Sequence, residues 1–234
     1  MEEGADAIPA AVIEALENNL EQLAEVTVGR VIADLEAYRE VEPAALEISV
    51  RRNLGIAVRT LRAHHLDRSN APVFVQSFET SNLRELAGEV KVPLVQLVDA
   101  SGAPYDLVAK GDKRTYRDLV SPAGLRDVAT YADAVGANKD LVLPRDADGS
   151  TGKPSDLVDD AHDAGLRVHV WTLRRENQFM AVDFRRGSDP NAVGDLAAEV
   201  RAFLDAGVDG MFTDNADVAV QARDRWVREG RLVA

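Results

Sequence analysis

The chain has 234 residues, a formal net charge of −13 and no cysteine. It is long enough for one large domain or two small ones, and with 46% hydrophobic residues it can form a substantial core. The absence of cysteine excludes disulfides, thiolate catalysis and cysteine-ligated zinc, and the acidic balance argues against extensive nucleic-acid binding.

The sequence shows neither a candidate membrane span nor a recognisable signal peptide. No run approaches the roughly 20 apolar residues that a membrane span needs. The first twelve residues, MEEGADAIPAAV, are acidic and lack the basic and apolar regions of a signal peptide. We therefore expect no membrane span and no nucleic-acid partner, while the compartment stays undecided.

The first part of the chain has a purely helical pattern. Over residues 8–66, apolar side chains recur at helical spacing in three stripes, at 13–23, 28–35 and 46–61. The sequence DRSNAP at 67–72 then breaks this pattern. We predict an all-helical segment over residues 1–70 and a second domain over residues 71–234.

After residue 70, short strands alternate with helices. The strands are predicted at 72–78, 93–99, 166–173 and 208–214, with short extended pieces AVGAN at 134–138 and LVLP at 141–144. The helices are predicted at 81–90, with Thr80 or Ser81 as the cap, and at 121–134, 153–165 and 189–207.

This alternation predicts parallel β/α units. A helix, an Ala-Gly pair and a strand follow one another at 161–172 and again at 202–214, which is typical of a β/α barrel. Only four or five strands can be counted, whereas a closed barrel needs eight. The predicted fold class is therefore α/β, a partial TIM-type (β/α) barrel corresponding to the C-terminal half, preceded by an all-helical N-terminal segment.

Several motifs after residue 70 resemble one enzyme family. They are FVQSFE, LVQLVD, LVDDAHDAGLRVHVWTLRREN and FLDAGVDGMFTDNADVAV, in this order. Together they resemble the C-terminal half of glycerophosphodiester phosphodiesterases, over residues 72–222. The segment 100–120 is similar to the enlarged loop of the periplasmic-type members.

The resemblance implies a TIM-type barrel that hydrolyses glycerophosphodiesters to glycerol 3-phosphate and an alcohol. It also implies a divalent metal, calcium or magnesium, held by carboxylates, and two histidines that act as acid and base. The expected small-molecule partner is a glycerophosphodiester.

The catalytic motifs of the family lie mainly in the other half of its barrel. They are a His-Arg-Gly, a Glu-x-Asp, a His-Asp and a Glu-x-Lys, and none is found here in the right context. His162-Asp163 is a His-Asp pair, but it falls within a predicted helix and is read as a surface pair. The metal ligands are therefore not identifiable in this chain, and the isolated chain is predicted to be inactive.

Five residues are candidates for substrate binding because each lies at or near the end of a predicted strand. Trp171 is expected to form an apolar wall for the glycerol or alcohol group, with Ser77 and Phe78 lining the pocket. Gln96 could bind a ligand or a neighbouring strand, and Asp214 could orient a site group or cap the following helix. His169 is expected in the core, and Glu79 alone does not make a metal site.

The N-terminal segment allows two interpretations. Residues 25–63 resemble the helical segment of PucR-like transcriptional regulators, through AYR, a proline and SVRRNL. A generic amphipathic helical hairpin explains the same pattern. The chain could thus be a phosphodiesterase that a partner completes, a non-catalytic binding or scaffold remnant, or a regulatory fragment that dimerises through its helices. An incomplete barrel also predicts self-association, or docking of the helices over its open side.

Overall fold

A computed structural model describes residues 55–56 and 58–230. Within them, five parallel strands form one sheet in the order β1-β2-β3-β4-β5. The strands are β1 Val75–Ser77, β2 Leu94–Val98, β3 Ala134–Asn138, β4 Arg167–Leu173 and β5 Gly210–Thr213. Strands that are neighbours in both sequence and space, joined by helices, are the arrangement of a β/α barrel.

The sheet is strongly curved. The rings of Phe74, just before β1, and His169 on β4 have centroids 4.9 Å apart, and those of Phe78 and Trp171 are 5.6 Å apart. In a flat sheet, β1 and β4 would be separated by three strand spacings, about 14 Å. Side chains of the first and fourth strands meet because the sheet closes around them, so the described residues form a partial TIM-type barrel.

Alternate residues of the strands face two different apolar layers. Leu94, Val98 and Val135 point outward into the main core beneath the helices. Val95, Leu97 and Ala134 point to the concave side, where Phe78 and Trp171 pack against them. Each central strand is therefore buried on both faces, as parallel strands are in this class of fold.

From β1 to residue 230, the chain has eight α-helices. They are α1 Thr80–Ala87, α2 Tyr105–Ala109, α3 Tyr116–Leu119, α4 Pro122–Val128, α5 Lys139–Val142, α6 Leu157–Asp163, α7 Leu196–Asp205 and α8 Ala216–Arg228. Residues 58–63 are also helical, and Val58 joins the main core. No helix in this part of the chain has the length and apolar character that a membrane span requires.

The predicted strands are confirmed in position, but most elements are shorter than predicted. The helix expected over 121–134 ends at Val128 because Ala134 already begins β3. The helix expected over 189–207 starts only at Leu196, capped by the Asp195 side chain. The extended piece predicted at 141–144 is wrong, since its first two residues close α5.

Two further expectations concern the segment before β1 and the start of α1. Residues 1–54, which include most of the predicted helical segment and of the PucR-like resemblance, lie outside the described residues. The predicted cap of α1 by Thr80 or Ser81 is wrong: its N-cap is Glu79, without a side-chain cap of its own. The carboxylate of Asp106 instead accepts hydrogen bonds from the backbone of Ser81 and the hydroxyl of Thr80.

A buried ion pair fastens the end of β3 to the outer helices. The Lys139 ammonium donates to Oε1 of Glu199 on α7 at 2.7 Å, and also to the backbone oxygen of Phe179. Both side chains are almost fully buried. The pair therefore ties α7 and the loop after β4 to the same strand end.

Gly136 allows the concave layer to close. A Cβ at this position would lie 2.5 Å from Cδ2 of Leu97 and 3.0 Å from Cγ1 of Val95. The indole Nε1 of Trp171 also donates to the backbone oxygen of Gly136 at 2.8 Å. A side chain at position 136 would therefore displace the neighbours against which Trp171 packs.

Gly136→Ala is expected to lower the free energy of unfolding by about 1–3 kcal/mol, because the added methyl overpacks the layer. Gly88→Ala is the control, since a Cβ there meets nothing closer than 3.8 Å and its φ of −85° suits alanine. Urea unfolding of both variants measures the difference. Equal stability of the two variants would contradict this account of the concave layer.

Candidate functional site

The carboxyl ends of the five strands meet at one edge of the sheet, here called the C-terminal edge. In parallel β/α folds this edge is where binding sites are built. The residues at or just after the strand ends are Phe78 and Glu79 after β1, Asp99 after β2, Asn138 at the end of β3, Trp171 and Arg174 on and after β4, and Asp214 after β5. The edge thus combines aromatic rings with groups of both charges.

An aromatic wall, defined as Phe78, Tyr116 and Trp171, stands on the concave side of this edge. Phe78 is at its centre, edge-on to Trp171 at 5.6 Å and to Tyr116 at 6.0 Å. Such geometry is favourable between aromatic rings. Trp171 is only partly buried, so its ring offers apolar surface at the strand ends, where the sequence analysis expected a wall.

Ser77 lies on the other face of β1, away from the aromatic wall. Ser77 is the register partner of Gln96 on β2. Its hydroxyl oxygen accepts hydrogen bonds from the backbone of Glu79 at 3.0 Å and from the Asn82 side chain at 2.9 Å. These bonds shape the turn from β1 into α1. The structure therefore gives Ser77 a structural position and does not bring it together with Phe78 and Trp171.

Gln96 is fully buried on the outer face of β2. Its amide nitrogen donates to the backbone oxygens of Phe78 and Leu97, both at 3.0 Å, and its amide oxygen accepts from the Tyr131 hydroxyl at 2.9 Å. Burial raises the pKa of Tyr131, so this hydroxyl stays protonated and donates. Gln96 holds the end of β1 in place from behind the aromatic wall.

Asp214 and Arg174 form an ion pair at the C-terminal edge, with Nε and Oδ2 2.8 Å apart. The Arg174 guanidinium also lies 4.8 Å from the centre of the Phe179 ring. Asp214 does not cap the following helix, because the N-cap of α8 is Asn215. The pair leaves a partly exposed cation three residues beyond Trp171.

Two carboxyl groups meet where the segment 99–121 crosses the end of β1. A Glu79 carboxylate oxygen accepts a hydrogen bond from the backbone of Asp106, while the Asp106 carboxylate accepts from the start of α1. Burial, together with the neighbouring Asp106, raises the pKa of Glu79 to about 7. Burial opposes ionisation of Asp106 too, but hydrogen bonds from Glu79, Ser81 and Thr80 bring its pKa below the ordinary value.

His162 and His169 do not converge at this edge. His169 lies deeper on the concave face, stacked edge-on against Phe74, and burial lowers its pKa, as expected for a core residue. His162 does more than face solvent, since its Nε2 lies 2.9 Å from Oδ2 of Asp209. That aspartate also accepts from the backbone of Val168 near the start of β4, at the opposite edge of the sheet.

The carboxylates at the C-terminal edge do not fit a divalent metal site. Among residues 55–230, no group of three or more His, Cys, Asp or Glu side chains is placed to hold a metal ion. Each carboxylate is also engaged by protein donors: Glu79 by an amide, Asp99 by Asn138, and Asp214 by Arg174. The described side chains therefore do not complete the metal site that the family resemblance implies.

Comparison with known proteins decides the family. The family model for the glycerophosphoryl diester phosphodiesterase family matches residues 6–218. The chain belongs to this family. The match starts at residue 6, within the segment that the sequence analysis separated at residue 70, and that boundary stays a prediction.

The phosphodiesterase family includes curated relatives that are much longer than this chain. Glycerophosphodiester phosphodiesterase GDPD6 of Arabidopsis thaliana is 32% identical over 144 residues, which are 61% of this chain and 35% of the relative. Glycerophosphodiester phosphodiesterase GDPDL1, also of Arabidopsis thaliana, is 31% identical over 121 residues, which are 50% of this chain and 14% of the relative. The chain thus spans about a third or less of the curated relatives it matches.

Solved structures show a weaker likeness. A glycerophosphodiester phosphodiesterase from Parabacteroides distasonis is 15% identical to this chain, with a TM-score of 0.44. The match covers 76% of this chain and 52% of the Parabacteroides chain. A Silicibacter pomeroyi protein provisionally named glycerophosphoryl diester phosphodiesterase is 18% identical, with a TM-score of 0.48. That match covers 82% of this chain and 49% of the Silicibacter chain. Likeness at this level adds nothing to the family assignment.

Sequence reasoning missed the residues that segment 99–121 and the loop after β4 bring to the edge: Asp106, Tyr116 and Arg174. One signal was present. Thr115 and Asp118 form a capping box, in which the Thr115 hydroxyl accepts from the Asp118 amide and the Asp118 carboxylate accepts from the Thr115 amide. This Thr-x-x-Asp pattern predicts a helix start and hence an ordered position for Tyr116.

Gln96→Leu is expected to lower the free energy of unfolding by about 2–4 kcal/mol, because it leaves buried carbonyls and the Tyr131 hydroxyl without partners. Tyr131→Phe removes only one of these hydrogen bonds and is expected to cost about 1 kcal/mol. Urea unfolding monitored by circular dichroism measures both. A Gln96→Leu variant as stable as the wild type would contradict the structural role given to Gln96.

Proposed function

We propose that this chain binds a glycerophosphodiester at its C-terminal edge, with the glycerol or alcohol group against the aromatic wall. The observation that supports the proposal best is the contact of Phe78 and Trp171 across the concave face. Membership of the phosphodiesterase family supplies the class of ligand. An apolar wall beside polar groups is the usual composition of a small-molecule site.

Arg174 is the group we assign to the phosphate of this ligand. A phosphodiester carries one negative charge, and a guanidinium binds phosphate oxygens through paired N–H donors. The Arg174 side chain is 41% exposed, and it is held in place by Asp214 and by the Phe179 ring. In this proposal Asp214 acts on the ligand by orienting Arg174.

Hydrolysis needs groups beyond those described. The family reaction places a water oxygen on phosphorus, breaks the bond from phosphorus to the alcohol oxygen and protonates the departing alcohol. The sequence contains no His-Arg-Gly, and the described carboxylates do not form a metal site. We therefore propose that the chain supplies the ligand wall, and that the acid, base and metal ligands come from a partner.

The two outer strands offer a place for such a partner. Within the described residues, β1 pairs only with β2, and β5 pairs only with β4. Each strand thus has one side on which further strands could add, as they would in a closed barrel. A second copy of this chain could pair there, but it would not bring the missing His-Arg-Gly.

Calorimetric titration with glycerophosphocholine tests the proposed site. Trp171→Ala and Arg174→Met are each expected to weaken binding by about tenfold, through loss of the apolar wall and of the phosphate contact respectively. Trp226→Phe is the matched control, because Trp226 lies on α8 in the outer layer and bonds to Asp205. Unchanged affinity in Trp171→Ala would overturn the assignment of the wall.

The same preparation distinguishes binding from turnover. Release of glycerol 3-phosphate from glycerophosphocholine, with calcium or magnesium present, is expected not to exceed the release seen with a chelator. Metal-dependent release by the purified chain would overturn the partner requirement, because a complete catalytic site would then exist within the chain.

A further inference from the structure

The contact between Glu79 and Asp106 joins two elements that are distant in sequence. Glu79 caps the start of α2 by accepting from the Asp106 amide, and Asp106 caps the start of α1 by accepting from Ser81 at 2.7 Å and Thr80 at 2.9 Å. Glu79 thus stabilises the start of α2, which contains Asp106, and Asp106 stabilises the start of α1, which follows Glu79. This reciprocal contact is here called the carboxyl latch.

The latch leaves one polar atom without a partner when both groups are ionised. Oδ1 of Asp106 is buried and receives no hydrogen bond. An ionised carboxylate only accepts, whereas a protonated one also donates. A proton on Glu79 would provide the missing donor to Asp106 and remove the repulsion between two adjacent negative charges.

The surroundings of the latch favour that proton. Tyr116 on α3 interacts with both carboxyl groups, and Tyr131 lies near Asp106. The two tyrosines are neutral, since burial raises the pKa of Tyr116 to about 12 and that of Tyr131 further still. The neutral tyrosines supply no positive charge that would keep both carboxyl groups ionised.

The latch is connected to the aromatic wall through segment 99–121. This segment carries both Asp106 and Tyr116. The Tyr116 amide donates to the backbone oxygen of Gly102 at 3.0 Å, and this hydrogen bond closes a loop that contains Asp106. The Tyr116 ring in turn packs edge-on against Phe78. Opening of the latch would therefore release one member of the wall.

We propose that Glu79 and Asp106 are positioning residues that share one proton, and that in this state they hold segment 99–121 in place, with Tyr116 in the aromatic wall. Loss of the proton loosens the segment and weakens ligand binding. The effect on the ligand rests on the function proposed above, whereas the proton-dependent closure of the segment does not.

The direction of the pH dependence follows from the raised pKa of Glu79. In the open segment Glu79 would titrate near its ordinary value of 4.5, and in the closed latch near 7. Closure is therefore strongest below pH 4.5, weakens as the pH rises through this window, and changes little above 7. One proton changes the opening equilibrium by at most about tenfold per pH unit.

Hydrogen exchange of segment 99–121 in the ligand-free chain tests the latch. After correction for the intrinsic exchange rates, opening is expected to increase at least about tenfold between pH 5 and pH 8. Glu79→Gln, whose amide can donate to Asp106 and accept from its backbone, should stay closed at both values. Asp112→Asn is the control, because Asp112 lies in the same segment but pairs with Arg114, and it should retain the wild-type pH dependence.

Two outcomes would overturn the latch: the same corrected exchange at pH 5 and pH 8 in the wild type, or a pH dependence that persists in Glu79→Gln. A Glu79→Ala variant, expected to be open at both values, separates loss of the latch from a general change in exchange. Titration with glycerophosphocholine at pH 5 and pH 8 is then interpreted separately. Closure of the segment without any ligand binding would contradict the proposed function but not the carboxyl latch.

Discussion

The curvature of the sheet is the constraint on which the rest of this structure depends. Phe78 and Trp171 belong to strands that a flat sheet would hold about 14 Å apart, yet their rings are in contact. Gly136 makes this contact possible, since a side chain on β3 would collide with Leu97 and Val95. On the outer side of the sheet, Gln96 bonds to the end of β1, and the buried pair of Lys139 and Glu199 ties α7 to the end of β3.

The candidate site follows from this arrangement. Curvature turns the strand ends into a concave edge, and the segments after the strands fill it with specific groups. Segment 99–121 brings Tyr116 to the wall, and the loop after β4 fixes Arg174 between Asp214 and Phe179. The family resemblance inferred from the sequence is confirmed by the family match, whereas the chain spans only part of its relatives and the described side chains leave the metal site incomplete.

The sequence predicted the strands well because each is a short apolar run between turn residues. It also placed Trp171 and Phe78 correctly at strand ends. It could not decide which way Ser77 and Gln96 face, because β1 has only three residues and β2 is buried on both faces, so that alternation gives no signal. Asp106 and Tyr116 were missed for a different reason: their positions depend on a long segment without periodicity, which folds back onto the end of β1.

The most direct test of the central claim is a crystal structure of the chain with glycerophosphocholine bound. The account predicts the phosphate within hydrogen-bond distance of the Arg174 guanidinium and the glycerol or choline group packed on Trp171, with Phe78 behind it. A ligand bound elsewhere, or a sheet in which the Phe78 and Trp171 rings do not meet, would contradict the account.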